Sequence, residues 1–176
     1  MKVTVVAGNP KPASRTLAAA HIIAHALTGR EADDAVDVVE LGAGLLGWGD
    51  PAVANAVATV RTSDLVIVAS PTFKATYTGI LKLFLDQFDT GTGLAGITAV
   101  PLMLGAGPAH ALAPELLLKP VLVELGAICP TQGLYLSDKA YDQPGVTDAW
   151  MDRWAVTVLG SASASPDTTH LTRKGL

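Results

Sequence analysis

Ser14, Arg15 and Thr16 follow Asn9 and Lys11 within one short stretch, Gly8-Asn9-Pro10-Lys11-Pro12-Ala13-Ser14-Arg15-Thr16. Hydroxyls, an amide and two cations gathered so closely suit an anion better than they suit acid–base work. Val3-Thr4-Val5-Val6-Ala7 before it reads as a buried strand, and the alanine-rich run from Leu17 to Leu27 reads as a helix closed by Gly29. A strand, a glycine-led turn and a helix opened by Ser14 leave free N–H groups and a positive dipole end at one point. The chemistry expected there is phosphate binding. The stretch matches neither the G-x-G-x-x-G nor the G-x-x-x-x-G-K-[ST] fingerprint. Turn chemistry alone, with no ligand, also accounts for Gly, Pro and Ser in a first βα turn.

Other reactive side chains are sparse. His21 and His25 lie four apart on one helix face, a metal-binding spacing with no third ligand evident, so surface histidines are the simpler reading. Cys129 is the only cysteine, which excludes an internal disulfide and suits a reducing cytoplasm. Asp86 reads as a helix-face charge, and no Ser-His-Asp or Cys-His arrangement stands out.

The elements that must position these groups follow in order. Residues 37–41 read as a second strand. Asp50 caps a helix with Pro51 in its first turn. Residues 64–70, apolar on both faces, read as a central parallel strand. Residues 78–88 form a helix with Leu81, Phe84, Leu85 and Phe88 on one face. Residues 97–104 give a fourth strand. A helix from about Ala109 contains Pro114 and Pro120, so a kink or irregular turn is expected. Residues 128–136 supply the fifth strand. A last helix carries Trp150, Trp154 and Val158 as a core stripe. The expectation is a doubly wound α/β domain over residues 1–160 with five parallel strands in the order 2-1-3-4-5. Residues 161–176 read as a flexible or partner-contacting tail. Three unusual loops, at residues 8–16, 70–77 and 105–110, then fall at strand C-termini on one edge.

The 176-residue chain is 49% apolar, only 16% charged and carries a net charge of −4. That balance argues against nucleic acid and suggests much buried sheet or an oligomer interface. The apolar run before Gly8 is too short for a signal-peptide core. Residues 90–114 are uncharged and largely apolar, but Gly93, Gly96, Pro101, Gly105, Gly107, Pro108 and Pro114 interrupt them too often for a membrane span.

The three loops carry a family resemblance. Ala7-Gly8-Asn9-Pro10 with Ser14-Arg15-Thr16, Ser70-Pro71-Thr72-Phe73-Lys74-Ala75-Thr76-Tyr77-Thr78-Gly79 through Leu85-Asp86, and Gly105-Ala106-Gly107-Pro108-Ala109-His110 running on to Leu122 resemble the NADPH-dependent FMN reductases. These are flavodoxin-like proteins, and the likeness is to the branch that serves two-component flavin-dependent monooxygenases. The resemblance implies that Ser14, Arg15 and Thr16 hold the FMN phosphate, with Gly8 and Asn9 beside them among the cofactor-binding residues. It implies that Pro71, Thr72, Phe73 and Lys74 line the isoalloxazine, and that Gly105, Ala106 and Gly107 approach its pyrimidine edge. Two roles stay open to His110, flavin contact or capping the following helix. Tyr77 is open to flavin stacking or a subunit contact. Asn9 stands where many members have Ser, Phe73 replaces a common Tyr, and Leu116 occupies a place where some sulfonate-linked members insert an aromatic residue.

Expected cofactors are FMN with NADPH or NADH. The expected reaction is hydride transfer from nicotinamide to flavin, which needs no obligatory acid or base from the protein, so no side chain is assigned as catalytic. The implied setting is a cytoplasmic homodimer or homotetramer, with a partner monooxygenase consuming reduced FMN. Two rivals use the same loops. One is a quinone or azo reductase that keeps its FMN; the other is a flavodoxin-type carrier, a class typically more acidic and without this Lys and Arg pair.

Overall fold

Five strands pair in parallel in the order β2-β1-β3-β4-β5. They are β1 (Val3–Ala7), β2 (Asp34–Asp37), β3 (Leu65–Pro71), β4 (Thr98–Gly105) and β5 (Leu134–Ser137). The structure, a computed structural model, describes residues 1–164. Side chains alternate across the sheet, as the period of two requires. Val6, Val66, Val68 and Met103 face one layer, with Val53 and Val60 of α2 (Pro51–Arg61), Leu81 and Phe84 of α3 (Gly79–Leu85) and Leu122 of α4 (Lys119–Glu124). Val3, Val5, Leu65, Ile67 and Leu102 face the other, with Ile23 of α1 (Arg15–Thr28) and Val158 of α5 (Asp148–Ser163). This is the expected flavodoxin-like arrangement, with its switch point between β1 and β3.

Local signals hold where they concern caps. Ser14 Oγ accepts the Leu17 N–H at 3.3 Å and Gly29 closes α1 at φ 71. Asp50 Oδ1 accepts from Ala52 and Val53 at 2.9 and 3.1 Å, with Pro51 in the first turn of α2.

The edges differ from expectation. β2 covers Asp34–Asp37, and the apolar run assigned to it instead folds into a 3₁₀ segment, Val38–Leu46, interrupted at Gly42 (φ 56). Val38 and Leu45 are buried on the α2 side, so burial rather than ladder pairing claims that run. Residues 128–136 do not form one strand. Ile128 makes an isolated bridge to Thr98, Pro130 has no N–H to give, and β5 begins only at Leu134. Pro101 lies inside β4 at this break. The Ala99 N–H points toward Ile128, so by alternation the absent N–H of Pro101 faces the gap between Ile128 and Leu134. α3 stops at Leu85, while Phe88 beyond it still packs edge-on against Phe84 at 5.3 Å.

The expected irregularity after β4 takes a definite form. A short 3₁₀ turn (Pro108–His110) precedes a π turn (Pro114–Leu118) that runs into α4. Pro120 cannot donate to the Leu116 carbonyl, and the Lys119 N–H reaches back five residues to Pro114 O. At the C-terminus α5 continues through Ser163. Ala162 is buried and Ser161 Oγ lies 2.8 Å from Thr98 Oγ1, so the helix packs past the expected boundary at residue 160. The rest of the segment read as a tail, residues 165–176, lies outside the described residues. The tryptophan stripe divides. Trp150 packs on the α1 side of the core, whereas Trp154 lies outside both clusters beneath the Arg153 guanidinium, 4.7 Å from its ring centre.

Candidate functional site

The loops after β1, β3 and β4 meet at the C-terminal edge of the sheet, around a crevice of about 510 Å³. In the first loop Asn9 Oδ1 accepts the Lys11 N–H at 2.9 Å and Asn9 Nδ2 donates to Thr16 Oγ1 at 2.9 Å. The chain then reverses at Ala13, which takes φ 48, the left-handed region that an alanine enters at a cost. Asp37, at the end of β2, holds this reversal by accepting the Ala13 N–H on Oδ2 at 2.8 Å. Helix α1 starts at once. The Arg15 and Thr16 amides have no acceptor inside the helix, and the Ser14 and Thr16 hydroxyls, both accepting already, keep their O–H donors. Asn9, Ser14, Arg15 and Thr16 all line the crevice.

Gly8 does not. It is buried behind the crevice, donating to Ala69 O at 2.8 Å and accepting from Thr78 Oγ1. A Cβ there would collide with Leu81, so this glycine lets α3 close on the end of β1.

The second loop is pinned by Ser70, whose Oγ accepts the Thr78 N–H at 3.0 Å. Pro71, Thr72 and Phe73 line the crevice, and Phe73 is half-exposed. Phe73 and Thr76 then exchange backbone hydrogen bonds at 2.9 and 3.2 Å across Lys74 and Ala75, at φ 51 and 71. Two consecutive positive φ values are what a type I′ turn demands, and here neither residue is Gly or Asn. Thr72 Oγ1 is sealed from solvent with no hydrogen-bond partner.

The third loop brings Gly105 and Ala106 to the same crevice. Tyr135 of β5 crosses beneath it, donating its O–H to Gly107 O at 2.7 Å, and a Cβ on Gly105 would strike that hydroxyl. A second crevice of about 630 Å³ opens between the second and third loops, sharing Thr72, Gly105 and Ala106 with the first. Lys74, Gly107 and His110 border this one and not the first. An apolar groove of about 510 Å³ beside Trp48 on α2 has no comparable gathering of polar groups.

Two acids that the sequence reading passed over support the first crevice, and of the two only Asp138 lines it. Asp37 anchors the first loop, and Asp138, just beyond β5, meets Arg15. Arg15 Nη1 donates to the Asp138 carbonyl at 2.8 Å and Nη2 lies 3.6 Å from its carboxylate. Their signal was position, since both stand at strand C-termini on the edge where a doubly wound sheet binds its ligand. Elsewhere, His25 Nδ1 faces Glu31 at 3.4 Å. Burial pushes the Cys129 thiol up to about 11, which leaves it a poor nucleophile.

A parallel sheet in the order 2-1-3-4-5 with donors gathered at its switch point defines a flavodoxin-like α/β protein. Within that class, the chain belongs to the NADPH-dependent FMN reductase family, whose model matches residues 1–142. It is 28% identical over 172 residues to the NADH-dependent FMN reductase SfnF of Pseudomonas putida, covering 93% of this chain and 92% of that protein. It is 31% identical over 152 residues to an FMN reductase (NADPH) of Pseudomonas aeruginosa, covering 80% and 79%. Among solved structures, the apo form of an NADH:FMN oxidoreductase (EMOB) superposes with a TM-score of 0.78 at 28% identity, covering 94% of this chain and 90% of that one. The protein is therefore an oxidoreductase of FMN with NADPH or NADH as reductant. No helix among the described residues is long and apolar enough to cross a membrane.

Proposed function

We propose that the first crevice holds the phosphate and ribityl chain of FMN and that the ring lies between the second and third loops. When bound, FMN supplies the chemistry, accepting hydride from NADPH or NADH and passing two electrons onward. The donor set fits the group. The Arg15 and Thr16 amides, the Ser14 and Thr16 hydroxyls, the Asn9 amide and the Lys11 and Arg15 cations converge where a dianion would end. The unpartnered Thr72 hydroxyl offers a further donor beside the ring slot.

The observation that carries this reading is the convergence of three loops, from β1, β3 and β4, on one crevice. The remaining residues position. Thr78 and Ser70 lock the second loop to the first, and Tyr135 supports the third. Lys74, Gly107 and His110 border the outer part of the slot, where the nicotinamide must also reach. We read the product as reduced FMN released to a partner monooxygenase. The setting is taken as the cytoplasm, which the single thiol suits. Half-exposed leucines at 112 and 116 and Val123 support assembly into a homodimer or homotetramer.

Mixing the purified chain with FMN and following nicotinamide absorbance after adding NADPH or NADH tests the reading. Turnover with free FMN is expected, with FMN saturating more tightly than riboflavin and Arg15→Ala narrowing that difference. Absence of turnover with both reductants would sink it.

A further inference from the structure

Asp138 brings a negative charge to a place otherwise built of anion donors. It lines the same crevice as Ser14 and Thr16. Its backbone N–H donates to Gly105 O at 3.0 Å, which fixes the residue at the end of the β4–β5 pair. Its carbonyl takes Arg15 Nη1 at 2.8 Å, and its Oδ2 stands 3.6 Å from Nη2. Oδ1 is sealed from solvent and has no hydrogen-bond partner, so the carboxylate meets Arg15 through Oδ2 alone. A charge held in such surroundings is screened less than one facing water. Arg15 itself is 60% exposed, and an ion pair so placed is weak enough to exchange one anion for another.

We propose that Asp138 is a positioning residue that competes with the flavin phosphate for Arg15 and weakens phosphate binding, so that FMN behaves as an exchanging substrate. The inference rests on the phosphate end of FMN lying at Ser14 and Thr16. Before a phosphate arrives, Asp138 gives Arg15 a resident acceptor. Once a phosphate is seated, the guanidinium is shared between it and the Asp138 carboxylate. A site with Arg15 unopposed would retain FMN longer. Release of reduced flavin to a second protein requires the opposite.

The sign is unusual and therefore discriminating, since removing a polar residue from a binding site should tighten binding. Asp138→Asn keeps the main-chain carbonyl and the side-chain outline and deletes the charge. Flavin fluorescence titration is expected to show FMN binding roughly three- to tenfold tighter, the scale of one partly screened charge pair. Riboflavin, which has no phosphate, should bind unchanged. Stopped-flow release of FMN should slow by a similar factor, and raised salt should shrink the gain. In the Arg15→Ala background the same substitution should gain less. Asp138→Ser, shorter and uncharged, should reproduce the gain if Asn packs poorly.

Equal tightening of FMN and riboflavin, an unchanged or weaker FMN affinity, or an undiminished gain without Arg15 would each overturn the role given to Asp138. The underlying placement of the phosphate fails differently. A wild-type chain that binds riboflavin as tightly as FMN would remove it, whatever the variants do.

Discussion

Ala75 and Lys74 hold positive φ values of 71 and 51 in the loop that borders the second crevice. An L-residue pays roughly 1–2 kcal/mol in that region, and glycine does not, though it adds disorder to the unfolded chain. Ala75→Gly is expected to stabilise the fold by about 0.5–1 kcal/mol in urea melts. Flavin affinity should fall slightly, because the loop loses its fixed shape. Gly105 behaves oppositely. Gly105→Ala drives a methyl into the Tyr135 hydroxyl, and a cost of about 1–3 kcal/mol is expected. Tyr135→Phe removes the hydroxyl and its bond to Gly107 O, so the double variant should recover part of that loss in thermal melts. At this scale much of the candidate site was legible. Asn9, Ser14, Arg15 and Thr16 announce themselves by type and spacing. Gly8 and Gly105 were legible as glycines but not in their purpose. What a missing Cβ avoids, Leu81 or Tyr135, comes from elements far away in sequence. Asp37 and Asp138 were missed because a lone carboxylate after a strand is indistinguishable from a solvated one until its partners are placed.

Among elements, the π turn shows how distant groups decide local geometry. Glu115 bridges it to the approach of β5, accepting from Gly133 N–H at 2.7 Å and from Lys119 Nζ at 2.9 Å. Burial opposes the charge on Glu115, but those two donors outweigh it and hold the carboxyl below its usual value of 4.5. A depressed folded-state pKa contributes stability that is present above 4.5 and lost as pH falls through the folded value. Glu115→Gln should therefore cost about 1 kcal/mol at neutral pH, and the gap to the wild type should close as the solution is acidified below that value. Paired urea titrations at neutral and acid pH read it directly. A gap independent of pH would contradict the assignment. The two prolines in the sequence announced the irregularity, but not its π register. Strands 2 and 5 were the elements least legible. Both are edges with one neighbour, so they tolerate Asp34, Asp37 and Ser137, and composition no longer marks them. The interior strands, walled by helices on both faces, carried mostly apolar, fully buried runs and read correctly.

At the scale of the molecule, alternation of strands and helices pointed to a doubly wound sheet, and the order is the one common to five such strands. The position of the ligand edge followed from that order. Pro101 gives this architecture an uneven seam. The ladder joining β4 to its outer neighbour lapses between the Ile128 bridge and Leu134, leaving the final strand stitched only along Leu134–Ser137. Deuterium should enter the amides of that strand well before those of β3, as mass spectrometry of peptic fragments can show. Tyr135 and the approach to Asp138 ride on it. The border of the crevice that carries them is thus expected to open before the interior strands, and a guest departing by that side would meet the more yielding wall.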